Sequence, residues 1–300
     1  MLGFLNLNKP AGLTSHDCVA RVRRCLRLKR VGHGGTLDPA ATGVLPIALG
    51  KATRLLNYLP EAKAYRALVR FGVQTSTDDL EGEILRQTPA PDLTLPQVAA
   101  VLPAFCGLIT QIPPAYSAIQ RDGKRLYELA RAGIAVDVPA RMVTVSAIEI
   151  LGWQPGAFPE LELAIACGSG TYIRAIARDL GDHLQVGATL AALTRTASCG
   201  LTLNHSLSLE DFTAQVEIDT WQPLPPAALL GHLPSVALTT ALAYRWCLGQ
   251  RLAEAPPAVG ADTASVRVET EAGDFLGIGH YVAGCLGAKV AIASPERFRS

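Results

Sequence analysis

One carboxylate stands in unusual company: Asp38, within the segment GHGGTLDPAATG. Gly32, Gly34 and Gly35 open backbone conformations closed to other residues, and Pro39 pushes Asp38 toward extended geometry. Such a loop can hold a carboxylate stiffly outward, where it could serve as nucleophile or general base. The same residues suit an aspartate that merely caps the turn, the common role of Asp before Pro. His33 reads, by itself, as a satisfied loop histidine. A second acidic group, Asp78, Asp79 and Glu81 in TSTDDLEGE, raises paired-carboxylate hydrolysis or metal binding, but its pattern reads as a solvated acidic turn.

Other chemistries lack their residues. GHGGTLDP has no Gly-Lys-Ser/Thr ending for a phosphate-binding loop, and neither GSGTYIR nor GIGHYVAG completes a dinucleotide fingerprint. The six histidines are dispersed, without HExxH or zinc-type Cys/His spacing, and there is no GxSxG elbow. No cofactor and no metal are therefore expected. The seven cysteines form no CxxC pair, and their odd number argues for reduced, mostly buried thiols. MLGFLNLNKPAG lacks the marks of a secretion signal and no apolar run is long enough to cross a bilayer, so a soluble cytoplasmic protein is expected. With a formal net charge of +1, any affinity for nucleic acid must come from a local patch. Arg21, Arg23, Arg24, Arg27, Lys29 and Arg30 supply a candidate, although a solvated helix face would look the same.

The elements that must position these residues can be read coarsely. TSHD is a capping pattern that starts an amphipathic helix at Thr14, carrying Val19, Val22 and Leu26 at helical spacing and stopping at Gly32. VLPIALG reads as a strand, ATRLLNYL as a short helix, and AYRALVRFGV as a strand with Tyr65, Ala67, Val69 and Phe71 on one face. Leu95 to Pro114 reads as a Pro-punctuated helix and loop, and GKRLYELARAG as a helix. Strands follow at Val143 to Ile150 and ELELAIAC, then a helix in IRAIARDLGDHL; Leu193 reads as a core residue on a helix. Without a βαβ rhythm, the expected class is α+β with a mixed, largely antiparallel sheet and flanking helices. WQPLPPAALLGHLPS marks a boundary, predicting domains at 1–234 and 235–300. Beyond it, VRVET and FLGIGHY flank an EAGD turn and AKVAIA follows, predicting a small β-barrel or sandwich.

Four segments, in order, resemble the bacterial tRNA pseudouridine-55 synthases: LNKPAGLTSHD; GHGGTLDPAATGVLPIALGKAT; the pair AYRALVRFGVQTSTDDLEGE and PPAYSAIQRDGKRLYELARAG; and CGSGTYIRAIARDLG. The resemblance implies a pseudouridine synthase fold, a C-terminal domain resembling the RNA-binding PUA module, no cofactor, and the tRNA T-arm stem-loop as partner; a monomer is expected. By the same resemblance Asp38 is the catalytic carboxylate and His33 a wedge that helps open the RNA loop. Tyr65 lies against the target base, Tyr172 and Arg174 belong to the GTYIR motif, and Leu193 lines the pocket. Gln120, Gly34 and Ala40 depart from the family's usual Lys, Thr and Leu.

The chemistry implied suits these residue types. Turning uridine into its C-glycoside breaks the N1–C1′ bond, rotates the uracil and rejoins it through C5, work for one ionised carboxylate. Arg174 is expected to pair with Asp38 and lower its pKa. The base must leave its stack for an aromatic or apolar platform such as Tyr65 and Leu193. If residues 172–174 are extended, Tyr172 and Arg174 share a face; if helical, they diverge. Two other readings compete: a non-catalytic RNA-binding or RNA-folding protein, and a hydrolase pairing Asp38 with the acidic turn.

Overall fold

The computed structural model describes residues 1–114, 116, 120–121, 124–125, 138–256 and 265–299. Thirteen strands precede residue 203: β1 (Gly3–Lys9), β2 (Val31–His33), β3 (Thr42–Leu49), β4 (Lys63–Phe71), β5 (Val73–Thr75), β6 (Ile84–Gln87), β7 (Gly107–Gln111), β8 (Gln120–Arg121), β9 (Lys124–Arg125), β10 (Arg141–Gln154), β11 (Glu160–Cys167), β12 (Ala188–Ser198) and β13 (Leu201–Thr202). Nine of them form one sheet, ordered β1-β3-β12-β4-β11-β10-β7, with β2 paired to β3 and β13 to β12. Every pairing is antiparallel except β3 with β12. The sheet is thus mixed and largely antiparallel, with helices packed on it, as expected.

The helix predicted from Thr14 runs Ser15–Cys25. Thr14 Oγ1 accepts from the Asp17 amide (3.0 Å) and Asp17 Oδ2 from the Thr14 amide (2.9 Å), so each residue satisfies a donor the first turn would orphan. It buries Cys18, Val19 and Val22 against Leu5, Leu7 and Ile47, while Arg21, Arg23 and Arg24 stay exposed. The helix Ile173–His183 packs Ile173, Ile176, Ala177 and Leu180 onto Tyr65, Ala67, Val69 and Phe71, the predicted inner face of β4. Each fully buried aliphatic or aromatic residue there contributes roughly 1.5–3 kcal/mol.

Two strands differ from the sequence expectations, and a third, β1, was not anticipated. β1 lacks alternation because both of its faces are covered: Phe4 enters one core, Leu5 and Leu7 another. β7 arises where a loop was expected; its Leu108, 68% exposed, obscures any inward pattern. β12, with Leu193, is a strand and not a helix. Its Ala- and Leu-rich composition favours helix, but pairing with β4 on one side and β3 on the other overrides that weak preference. ATRLLNYL forms a 3₁₀ helix, Gly50–Tyr58. Of the helix expected over GKRLYELARAG, Lys124 and Arg125 instead form β9, paired with β8, and the remaining residues lie outside the described ones, as does the side chain of Gln120.

After the short helix Pro226–Leu229 come β14 (Ser235–Leu238), β15 (Val266–Thr270), β16 (Phe275–Val282) and β17 (Cys285–Ala291), in that spatial order. The expected hairpin at EAGD joins β15 and β16. The expected barrel does not close among the described residues: β14 and β17 are the two edges. The helix Thr240–Cys247 explains why closure is unnecessary, since its fully buried Trp246 packs with Val236, Val266 and Leu286 and covers their apolar surface. A further core, formed by Phe4, Ala48 and Leu55 with Leu230, Ile278 and Val290, joins this sheet to the larger one.

Candidate functional site

The inner face of the large sheet brings the candidate residues together. Tyr65 sits opposite Arg195 in the β4–β12 register, with Ala67 opposite Leu193, so all four side chains share one face. Across from them begins the helix Ile173–His183, and between lies the loop carrying Asp38. They enclose a cavity of about 230 Å³, whose walls include Asp38, Lys63, Tyr65, Tyr172, Arg174 and Leu193. That is below the ~300–1,000 Å³ of drug-sized sites and suits a single planar base.

Asp38 Oδ2 lies 3.0 Å from Arg174 Nε. The arginine is almost wholly buried, while the Asp38 side chain is 39% exposed, opening into the cavity. Arg174 also donates to the carbonyls of Thr77 (3.0 Å) and Tyr116 (2.9 Å) and stands 3.5 Å from Asp79 Oδ2. Its donors are therefore shared among one carboxylate in the cavity and a frame of carbonyls and a second carboxylate behind it. Burial pushes the Asp38 carboxyl above its ordinary value; Arg174 opposes that shift and Asp79 adds to it. This corrects the expectation that Arg174 would bring Asp38 below the ordinary range: burial outweighs the ion pair.

The acidic turn is also not the solvated surface it resembled. Asp79 faces Arg174, Asp78 bonds Arg178 at 2.9 Å, and both carboxylates are largely buried. Sequence gave no signal for this, because Arg174 and Arg178 lie nearly a hundred residues away.

The loop's rigidity comes from residues that sequence reasoning overlooked. Arg195, 1% exposed, donates to the carbonyls of Gly35 (3.0 Å), Thr36 (3.2 Å) and Val44 (2.8 Å). Buried Lys9 donates to Pro39 (2.9 Å), and Ser15 Oγ accepts from the Leu37 amide (2.8 Å). Of the three glycines, only Gly35 has a positive φ, +133°. Gly43 (φ +102°) is needed for a different reason: a Cβ there would lie 2.3 Å from the Arg195 carbonyl oxygen.

Tyr172 is extended (φ −104°, ψ 111°) at the N-cap position of its helix, so it and Arg174 both reach the cavity. Buried Gln111 brackets it, accepting from its amide and donating to its carbonyl, both at 3.1 Å, and the Arg141 guanidinium lies 5.8 Å from its ring centre. Leu193 is half-buried on β12. His33 does not line the cavity. It ends β2, accepts from the Gly35 amide (3.3 Å) and meets His16 edge-on, the ring centres 5.3 Å apart. Burial, then His16, pushes its pKa below the ordinary value, so the ring is neutral at pH 7.

Among solved structures, the chain superimposes on the crystal structure of a Cbf5-Nop10-Gar1 complex with a TM-score of 0.76 at 25% identity, covering 99% of this chain and 87% of the other. Residues 23–173 match the model of the TruB family pseudouridylate synthase N-terminal domain, and residues 234–291 that of pseudouridine synthase II TruB, C-terminal. The chain is 60% identical over 287 residues to tRNA pseudouridine synthase B of Nostoc sp. strain PCC 7120, covering 95% of this chain and 97% of that protein. With its counterpart in Synechocystis sp. it shares 56% over 297 residues, covering 99% and 96%. The chain belongs to the TruB family of pseudouridine synthases. No helix among the described residues is long and apolar enough to cross a membrane.

Proposed function

We propose that this chain isomerises the uridine at position 55, in the T-loop of tRNA, to pseudouridine, working as a monomer with Asp38 as its catalytic carboxylate. The observation that carries the reading is the Asp38–Arg174 pair, 3.0 Å apart, in a base-sized cavity walled by Tyr65, Tyr172 and Leu193. The N1–C1′ bond breaks, the uracil turns, C1′ bonds to C5, the C5 hydrogen leaves and N1 of the product gains one. Atoms and electrons balance without an outside reductant or oxidant. A single carboxylate can promote this by attack at C1′, by addition to the base or by taking the 2′ proton; each needs it ionised, and Arg174 sustains the anion against burial. Tyr65 and Leu193 receive the extruded base, Tyr172 closes the wall beside it, and His33, outside the cavity, helps open the T-loop.

The division of labour follows the sequence boundary: residues 1–234 catalyse, and residues 235–300, a PUA-like domain, hold the rest of the tRNA. The six exposed basic residues between Arg21 and Arg30 contact phosphates, so the salt dependence of binding weakens when they are neutralised. Purified protein with no added cofactor is expected to convert one uridine of a T-arm stem-loop transcript, read as a carbodiimide-dependent reverse-transcription stop. Inactivity on every tRNA transcript, with binding intact, would favour the non-catalytic RNA-binding reading. The ion-paired carboxylate in the cavity argues against that reading.

Arg195 has a positioning role in this scheme. A lysine cannot span the three carbonyls that Arg195 holds. Arg195→Lys should therefore slow single-turnover conversion on the order of 100-fold, as a misplacement of about 1 Å does, with RNA affinity within about threefold of wild type. Equal rates in the two proteins would show that the loop does not depend on this clamp.

A further inference from the structure

We propose that Lys63 is a phosphate-binding residue of the cavity, its ammonium holding the backbone phosphate of the nucleotide whose base enters beside Tyr65. This rests on the reading that an RNA nucleotide occupies the cavity. Lys63 opens β4 and lies two residues before Tyr65, so both side chains project from the same face into the same space. Tyr65 is 7% exposed and Lys63 only half-buried. Burial therefore increases from Lys63 inward, which puts the lysine nearer the mouth, where the ribose-phosphate of an inserted nucleotide must lie.

Among the described residues, no carboxylate or carbonyl lies within hydrogen-bonding or ion-pairing distance of the ammonium. Among the described residues no hydrogen bond or ion pair involves Lys63 Nζ, so three donors are unused. A Cβ on Gly35 would lie 3.6 Å from Arg195 Nη1 and 3.9 Å from Lys63 Nζ, so the two cations flank the Asp38 loop together. Arg195 spends its donors on the loop carbonyls; Lys63 does not. Burial and then Arg195 push the Lys63 pKa below its ordinary value, against the weaker opposing influence of Cys199, Cys167 and Glu61. An anion arriving with the substrate would supply the missing partner. A compact point charge with freely rotating donors suits a phosphate oxygen, whereas planar, directional recognition of a base edge is better met by a guanidinium or an amide.

The test is a cycle of affinities, using wild type, Lys63→Met and Lys63→Arg with T-arm stem-loops. Each RNA carries either the natural phosphates or one neutral methylphosphonate, placed 5′ or 3′ of the target uridine. On natural RNA, Lys63→Met should bind about tenfold more weakly, the scale of one charge-assisted hydrogen bond, and Lys63→Arg should recover most of the loss. The slope of log affinity against log salt should fall by roughly 0.7–0.9, one phosphate's share. With the methylphosphonate at one of the two positions, wild type and Lys63→Met should bind equally. If Lys63→Met loses the same factor on both methylphosphonate RNAs, the lysine acts on the base or elsewhere and the proposal is overturned; no loss on natural RNA overturns it too. Thermal unfolding and the Lys63→Arg protein separate misfolding from lost contact. Because the cycle reads affinity, it is scored independently of turnover: failure of the broader reading would appear instead as wild type leaving the uridine unchanged.

Discussion

Asp38→Asn is expected to lower the single-turnover rate of uridine conversion by at least about 10³-fold, with affinity for the T-arm stem-loop staying close to wild type. The amide nearly matches the carboxylate in shape and still offers an oxygen to Arg174, whose remaining partners, Thr77, Tyr116 and Asp79, are untouched. What disappears is the negative charge and nucleophilicity on which each route through Asp38 depends, and such a loss is expected on the barrier and not on binding. Stability supplies a second readout with a defined sign. Burial raises the Asp38 pKa in the folded protein, so ionising it costs folding free energy at neutral pH. The Asn protein should melt at or above the wild-type temperature at pH 7 to 8, and any advantage should vanish once the pH is low enough to protonate Asp38 in both folded and unfolded chains. Conversion at the wild-type rate by the Asn protein would remove Asp38 from the chemistry.

Arg174→Met should have the next largest effect, and it reaches both activity and fold. The guanidinium is 6% exposed and joins Asp38, Asp79 and the carbonyls of Thr77 and Tyr116. Removing it strands two carboxylates near each other, a loss of about 3–5 kcal/mol for a broken buried pair. For catalysis the pH profile is the sharper measurement. With Asp38 in the proposed role the active form carries it ionised, so the wild-type rate should fall as pH drops through a pKa already raised by burial. Without Arg174 the main influence holding that pKa down is gone, and the acid limb should move to higher pH. The rate at pH 7 should fall by roughly 100-fold or more and recover in part as pH rises. Arg174→Lys, which keeps the charge but not the four-way geometry, should lie between. An acid limb at the same pH in Arg174→Met and wild type would mean that the arginine does not govern the charge on Asp38.

These two residues also show how much of the site could be read before folding. The loop around Asp38 would have passed for a turn with a capping aspartate. Its weight came from resemblance in four ordered segments, and the same resemblance nominated Tyr65, Tyr172, Arg174 and Leu193, which do share one cavity. His33 lies beside the loop but outside that cavity, because β2 ends there and its ring turns to His16 and the Gly35 amide. The residues that hold the loop and Tyr172 in place were not legible. Lys9, Gln111 and Arg195 are buried polar groups whose partners are mostly backbone carbonyls and amides, and a carbonyl leaves no mark on the residue type that bears it.

Local order alone determined the capped helix after Thr14, the alternating inner face of β4, the hairpin at EAGD and the class of mixed sheet, since each depends on periodicity or turn chemistry within a few residues. Tertiary structure decided the rest. It made β12 a strand against its helical composition, left the C-terminal sheet open under a covering helix, and turned an apparently solvated acidic loop into counterions for Arg174 and Arg178. It also set the charge balance of Asp38, whose pKa rises where pairing alone would lower it. The physical reason is common to all of these. Strand pairing, burial and ion pairing are decided by neighbours distant along the chain, and those neighbours exist only once the sheet has assembled.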